Sequence, residues 1–193
     1  MESVLAGIDE AEKALVVRAQ RGDRGAFGSL VKLHMRRAYF AALGMVGSPD
    51  DAMDLSQEAF ARAFRSRESL DPERPFYAWL YTILRNLCFN FLRDTSGRRR
   101  KLEAASDWLV DEATVRASRD DPESRAVTAE TRRRLMQSIE SLPEREREML
   151  VLKEFEGLRY REIAELLGIP IGTVMSRLYS ARRRLAGILE EER

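Results

Sequence analysis

The sequence predicts an all-α protein: two small helical domains joined by a flexible linker. Apolar residues recur at helical spacing almost throughout, and no alternating strand pattern carries weight. Gly and Pro fall between those runs. Thr95 to about Asp121 lacks strong helix signals, and about 30 residues is long for a loop inside one domain. The expected boundaries are 1–95 for the first domain, 96–121 for the linker and 122–193 for the second.

The first domain reads as four helices. The first covers about Glu10 to Arg21 and stops at Gly22; the second covers about Gly25 to Gly44. At the third, Ser48 can cap, Pro49 suits the first turn, and Asp50 and Asp51 complement the positive helix end. It runs to about Arg67. A polar loop, Ser66 to Pro75, precedes a fourth helix from Phe76 to about Asp94. In the second domain a helix over about Glu123 to Ser141 comes first. Ser141 and Glu144 then have capping-box spacing. Helices follow at about Pro143–Phe155, Arg159–Leu167 and Ile171–Glu191, the last two separated by Gly168-Ile169-Pro170.

The 193 residues carry 33 basic and 32 acidic side chains, for a net charge of +1. The distribution is less even than the total. From Arg85 to Lys101 six basic residues face the single acid Asp94, and Ile171 to Gly187 holds four arginines and no acid. Balancing acids gather at Asp50, Asp51, Asp54 and Glu58. Separate basic and acidic patches imply two kinds of partner. One cysteine, Cys88, allows no internal disulfide and no thiolate metal cluster, and His34 is the only histidine. No metal, cofactor or catalytic constellation is expected, and there is no phosphate-binding glycine loop, so an enzyme has little support. No apolar run reaches the roughly 18 residues of a membrane span. The N-terminus has acids where a signal peptide needs basic residues, so no membrane insertion and a cytoplasmic location are expected.

The last two helices form a helix-turn-helix. Val174, Leu178, Ala181 and Leu185 make one inward stripe. Ser176, Tyr179, Ser180 and Arg183 take the opposite side, with Met175 and Arg182 on one flank and Arg177 and Arg184 on the other. Short polar groups and arginine forks read base edges, and flanking arginines suit phosphates. Such a helix fits the DNA major groove; a solvated basic helix in an ordinary bundle is the bland alternative.

LPEREREML, EGLRYREIAELLGI and GTVMSRLYSARRRL resemble region 4 of bacterial extracytoplasmic-function sigma factors. DDAMDLSQEAFARAF resembles their region 2.2, and RPFYAWLYTILRNLCFNFLRD their regions 2.3 and 2.4. The resemblance implies a polymerase subunit that places core RNA polymerase on promoters and helps open them. Its implied partners are core RNA polymerase (the β′ clamp coiled coil and the β flap), promoter DNA and an anti-sigma factor. Asp51, Asp54, Gln57 and Glu58 would meet the polymerase. Leu70, Asp71, Trp79, Arg85, Asn86, Asn90 and Arg93 would serve the −10 element, with Leu70 and Asp71 walling a flipped-base pocket, Asn86 and Asn90 contacting the base, and Arg85 and Arg93 facing out to phosphates. Thr173, Met175, Ser176, Arg177, Tyr179, Ser180, Arg182 and Arg183 would read the −35 element. Met175 and Ser180 stand where relatives often have arginine, which implies a −35 element different from the common G-rich one or a larger role for Ser176, Tyr179 and Arg183; Leu70 stands where some relatives have an aromatic, and leucine cannot stack on a base in the same way, which leaves the favoured base open.

Trp79 and Tyr81 are candidate melting aromatics, and for Trp79 core or boundary packing is an equal alternative. Phe89 with Leu92 is either a docking surface or covered by residues 95–110. Cys88 is expected to be a packing residue and His34 to sit at a helix surface or boundary. A helix-turn-helix regulator with an N-terminal sensing or dimerisation domain is the competing function; the DLSQEAF and WLYTILRN helices argue against it.

Overall fold

The computed structural model describes residues 10–103 and 137–191, with the side chains of 10–95 and 137–190. Four helices build the first domain: α1 (Glu10–Gln20), α2 (Arg24–Val46), α3 (Pro49–Arg65) and α4 (Phe76–Glu103). Asp23 caps α2 by accepting from the Ala26 N–H at 3.0 Å. Gly47 ends that helix at φ 78°, where a side chain would be strained. Ser48 caps α3 as its sequence predicts, accepting from the Asp51 N–H at 3.3 Å with Pro49 in the first turn. The loop after α3 opens with a 3₁₀ turn, Arg67–Ser69. The Gln20 amide pins this loop to α1 by donating to the Leu70 carbonyl at 3.0 Å.

Phe27, Leu30, Phe60, Phe76, Leu80 and Leu84 are among the buried side chains of a core that continues into the second domain through Met149, Val151 and Leu152. Phe27 meets Phe64 and Phe76 edge-on, with centroids 5.1 and 6.2 Å away. His34 corrects a surface expectation. It is 7 % exposed, stacked beside Phe76 and Tyr77, with Nε2 3.4 Å from the Glu12 carboxylate. Its helical register places it on the apolar face of α2, and the acid on α1 gives its polar edge a neighbour. Cys88 is fully buried as expected, and burial pushes its thiol up to about 12, against thiolate chemistry.

The described part of the second domain begins at residues 137–140, followed by α5 (Glu144–Leu150), a π-helical turn (Val151–Phe155), α6 (Tyr160–Leu167) and α7 (Ile171–Glu191). Two boundaries differ from expectation. α4 runs on through residues 96–103, where a linker was expected; the rest of the linker and most of the helix expected from Glu123 lie outside the described residues. The helix expected over Pro143–Phe155 widens at Val151, and the Glu156 N–H bonds back five residues to the Val151 carbonyl at 3.0 Å. The two domains touch: α2 packs against α5 and the π turn.

Candidate nucleic-acid interface

The Glu162 carboxylate turns back to the Arg159 N–H at 2.6 Å and starts α6. Gly168 at φ 62° stops it, and the Ile169 N–H returns to the Ala164 carbonyl at 3.0 Å. The Pro170 carbonyl then accepts from the N–H groups of Thr173 and Val174, launching α7 across α6. Val174, Leu178 and Ala181 are fully buried, and Leu185 half so, which is the expected inward stripe. On the far side Met175 is 54 % and Tyr179 68 % exposed, and Ser176, Arg182 and Arg183 are exposed as well. Thr173, Arg177 and Ser180 are half-buried at its margins. Tyr160, Met175, Leu178, Tyr179, Arg182 and Arg183 wall an open groove.

The arginines of α7 differ in freedom. Arg182 pairs with Glu154 at 2.7 Å and Arg184 with Glu146 at 3.0 Å. Arg183 has no ion-pair partner among the described residues. The acid-free face in sequence is thus trimmed at its edges by acids from α5 and the π turn, leaving Met175, Ser176, Tyr179 and Arg183 at its centre. Exposed pairs of this kind are worth under about 1 kcal/mol, so Arg182 can exchange Glu154 for a phosphate at little cost.

In the first domain, α3 is sharply two-sided. Ala52, Ser56, Ala59, Phe60 and Ala63 are buried, whereas Asp54 and Gln57 are exposed and Asp51 and Glu58 half-exposed. Glu58 accepts from Arg62 at 2.7 Å and Arg65 at 3.1 Å, and the Arg62 hydrogen bond above all holds its carboxyl below the usual range. The acidic stripe therefore centres on Asp54, with Glu58 already partly neutralised.

The flank of α4 meets expectation in part. Asn86 is exposed and its amide has no partner among the described residues. Asn90 is exposed too, and its side-chain oxygen accepts from Arg93 at 2.8 Å. Trp79 is half-buried, 6.1 Å from the Phe76 ring, a boundary position. Asp71 is exposed and orders the loop by accepting from the Glu73 N–H at 3.0 Å.

Three residues of this patch need correcting. Leu70 is 4 % exposed and belongs to the core, so only Asp71 and the loop backbone can wall a pocket there. Tyr81 is 1 % exposed and packs in the core, so it is not placed to act as a melting aromatic. Arg85 does not face out freely: its guanidinium makes two bonds to Glu148 of the second domain, Nη2 to Oε2 at 3.1 Å and Nε to Oε1. It also lies 4.5 Å over the Phe89 ring, which is half-buried like Leu92. The expected cover of that pair by residues 95–110 lies outside the described side chains. Sequence reasoning missed Glu148, Glu156 and Arg37 altogether, because their partners lie in the other domain.

Residues 30–98 match the Sigma-70 region 2 family and residues 132–185 the Sigma-70 region 4 family. The chain is 37% identical over 180 residues to the ECF RNA polymerase sigma-E factor of Haemophilus influenzae, covering 90% of this chain and 93% of the relative. It is 35% identical over 187 residues to the RNA polymerase sigma-H factor of Pseudomonas aeruginosa, covering 94% and 95%. Among solved structures, CnrH in complex with the cytosolic domain of CnrY superposes with a TM-score of 0.68 at 25% identity, covering 95% of this chain and 99% of that one. RpoE of Bartonella quintana, solved with the anti-sigma factor NepR, shares the fold with a TM-score of 0.61 at 24% identity, covering 86% and 98%.

Proposed function

Because this chain belongs to the extracytoplasmic-function sigma factors of the sigma-70 family, we propose that its two domains divide promoter recognition between them. Membership makes the protein an alternative sigma factor: it binds core RNA polymerase, directs promoter-specific initiation and is not itself an enzyme. In the proposed division, the first domain docks on the polymerase and opens the −10 element, and the second reads the −35 element. Asp51, Asp54, Gln57 and Glu58 on α3 meet the basic β′ clamp coiled coil. Asn86 and Asn90 bond the edge of a base drawn out of the stack beside Asp71 and Trp79, and Arg93 holds a phosphate.

The outer face of α7 carries the reading. A helix exposing Met175, Ser176, Tyr179 and Arg183, while burying Val174 and Leu178 against α6, presents short polar, apolar and guanidinium groups to the major groove. Met175 suits a thymine methyl where an arginine would select guanine. Thr173, Arg177, Ser180 and Arg182 position the helix from its margins.

An anti-sigma factor is a proposed regulator, as the solved relatives include one bound to NepR. No described helix is long and apolar enough to cross a membrane, and a cytoplasmic location is proposed on the function. The test is run-off transcription with purified core polymerase on genomic promoter DNA. Specific transcripts that need this protein are expected. A protein that neither binds core enzyme nor directs specific initiation overturns the reading.

A further inference from the structure

α1 carries none of the residues assigned to polymerase or DNA, but it grips the segment that leads into α4. Glu12, Val16 and Gln20 fall at i, i+4 and i+8, on one face of the helix. Val16 and its neighbour Ala19 bury that face in the core. At one end the Gln20 amide donates to the Leu70 carbonyl at 3.0 Å and, more loosely, to the Glu68 carbonyl at 3.4 Å. At the other end the Glu12 carboxylate accepts from the Phe76 N–H at 3.2 Å. Between them Lys13 pairs with Glu73 at 2.5 Å; Glu73 is largely exposed, so this pair adds little.

These contacts frame Asp71. It follows Leu70, whose side chain is buried and whose carbonyl Gln20 holds. Its own bonds are local: the carboxylate accepts from the Glu73 N–H and the carbonyl from the Arg74 N–H, both at 3.0 Å. Asp71 is thus exposed on a turn whose entry and exit are both fixed by α1.

Glu12 also starts a helix that is not its own. Pro75, the residue before α4, has no side-chain acceptor with which to cap it. The carboxylate from α1 takes that place, where the positive helix end favours an anion. From this fixed start α4 leads to Trp79 and, two turns further, to Asn86. The brace is itself anchored in α2. Glu12 lies 3.4 Å from His34 Nε2, and Arg18 makes two bonds, at 2.9 and 2.7 Å, to Asp23, the cap of α2.

A base edge is read by hydrogen bonds of narrow geometry, so the groups that read it must be held still. In enzymes a displacement of about 1 Å, caused far from the reacting atoms, can cost about a hundred-fold. We propose that α1 is the positioning element of −10 recognition: Gln20 and Glu12, without touching DNA, fix Asp71 and the start of α4 and so set how sharply one base is preferred in the flipped position. This rests on the proposed pocket of Asp71 and Asn86. Gln20 acts through the Leu70 carbonyl and Glu12 through the Phe76 N–H.

The experiment uses the full chain reconstituted with core polymerase, on a promoter found by run-off transcription. Each position of its −10 element is set to all four bases in turn. Preference is the transcript yield with the best base over the mean of the other three, at the most selective position. Gln20→Leu and Glu12→Leu remove the donor and the acceptor at similar volume. Gln20→Glu, of unchanged shape, exchanges the donor for an oxygen and repeats the first test with less disturbance of packing. Glu12→Gln keeps an acceptor oxygen for the Phe76 N–H.

Gln20→Leu, Gln20→Glu and Glu12→Leu should each lose about five-fold or more of the preference, the lower end of what one good base contact is worth. Core-polymerase affinity and upstream nuclease protection should be unchanged, and Glu12→Gln should keep the wild-type preference. A merely structural role lowers yield on all templates equally and leaves the ratio intact, and that result overturns the proposal. So does a Glu12→Gln chain as blunted as Glu12→Leu. Asp71→Ala separates this failure from failure of the pocket. If it shifts the preference while the α1 variants do not, the pocket stands and the brace falls; if it leaves the preference unchanged, both fall.

Discussion

The Tyr81 hydroxyl stands 3.3 Å from the Glu148 carboxylate, across the boundary between two domains whose sequences are 67 residues apart at this point. Both side chains are almost fully buried. Tyr81→Phe removes a donor and leaves the acid to Arg85 alone. A loss of about 1 kcal/mol is expected, read as a lower urea midpoint with unchanged slope. Core-polymerase affinity should not move, since α3 is untouched.

Acidity should favour the docked arrangement of the two domains, in which Glu148 is buried against Arg85 and Glu156 takes Arg37 Nε and, at 3.3 Å, the Tyr77 hydroxyl. Burial raises the carboxyls of Glu148 and Glu156 above the ordinary 4.5, with Arg85, Arg37 and the two tyrosine hydroxyls pulling back only in part. Arg177 also lowers Glu148. A carboxyl that is raised in the docked arrangement binds protons more tightly there than when exposed to water. Its contribution is complete below 4.5 and declines as pH rises through the raised value. Scattering should therefore show a more compact chain as pH falls from neutral toward that range. Glu12 does not interfere: the His34 contact chiefly holds its carboxyl low, so its contribution is lost only below 4.5. Expansion on mild acidification would contradict the assignment.

Leu70 and Asn86 separate packing from recognition. Leu70→Ala vacates a core position and should cost about 2–5 kcal/mol of stability, with promoter selectivity unchanged in the folded fraction. Asn86→Ala alters an exposed amide and should leave the unfolding midpoint where it is. Promoter opening should fall about ten-fold, the value of one good base contact, with core binding intact. Equal loss of both activities would point to misfolding.

Asp54→Lys reverses the charge at the exposed centre of α3. Stability should change by less than about 0.5 kcal/mol. Affinity for core polymerase should drop at least about ten-fold, with a weaker salt dependence, because complementary charge mainly steers association. Gel filtration of the mixture reads the outcome directly.

Much of this architecture is written locally. Ser48-Pro49 starts α3, Gly168 ends α6, and Val174, Leu178 and Ala181 declare the buried side of α7, each within a few residues. Leu70, Tyr81 and Arg85 depart from the pattern because periodicity identifies an apolar stripe but not what covers the other sides of a helix. Tyr81 and Arg85 look amphipathic and outward until Glu148 arrives from another domain. Leu70 follows a polar turn, and only the Gln20 bond to its carbonyl shows the loop folding inward. The π turn has no sequence signature in VLKEF, because it serves a tertiary register.

The central claim is that one chain, held on polymerase, reads a promoter at two separate points. Footprinting of the reconstituted holoenzyme tests this most directly, with nuclease for the upstream contact and permanganate for unpaired thymines downstream. Wild type should show both signals. Arg183→Ala should weaken upstream protection, and Asn86→Ala should keep it while losing the unpaired thymines. Loss of both signals together in either variant, or unpaired thymines that persist in Asn86→Ala, would contradict the division of labour.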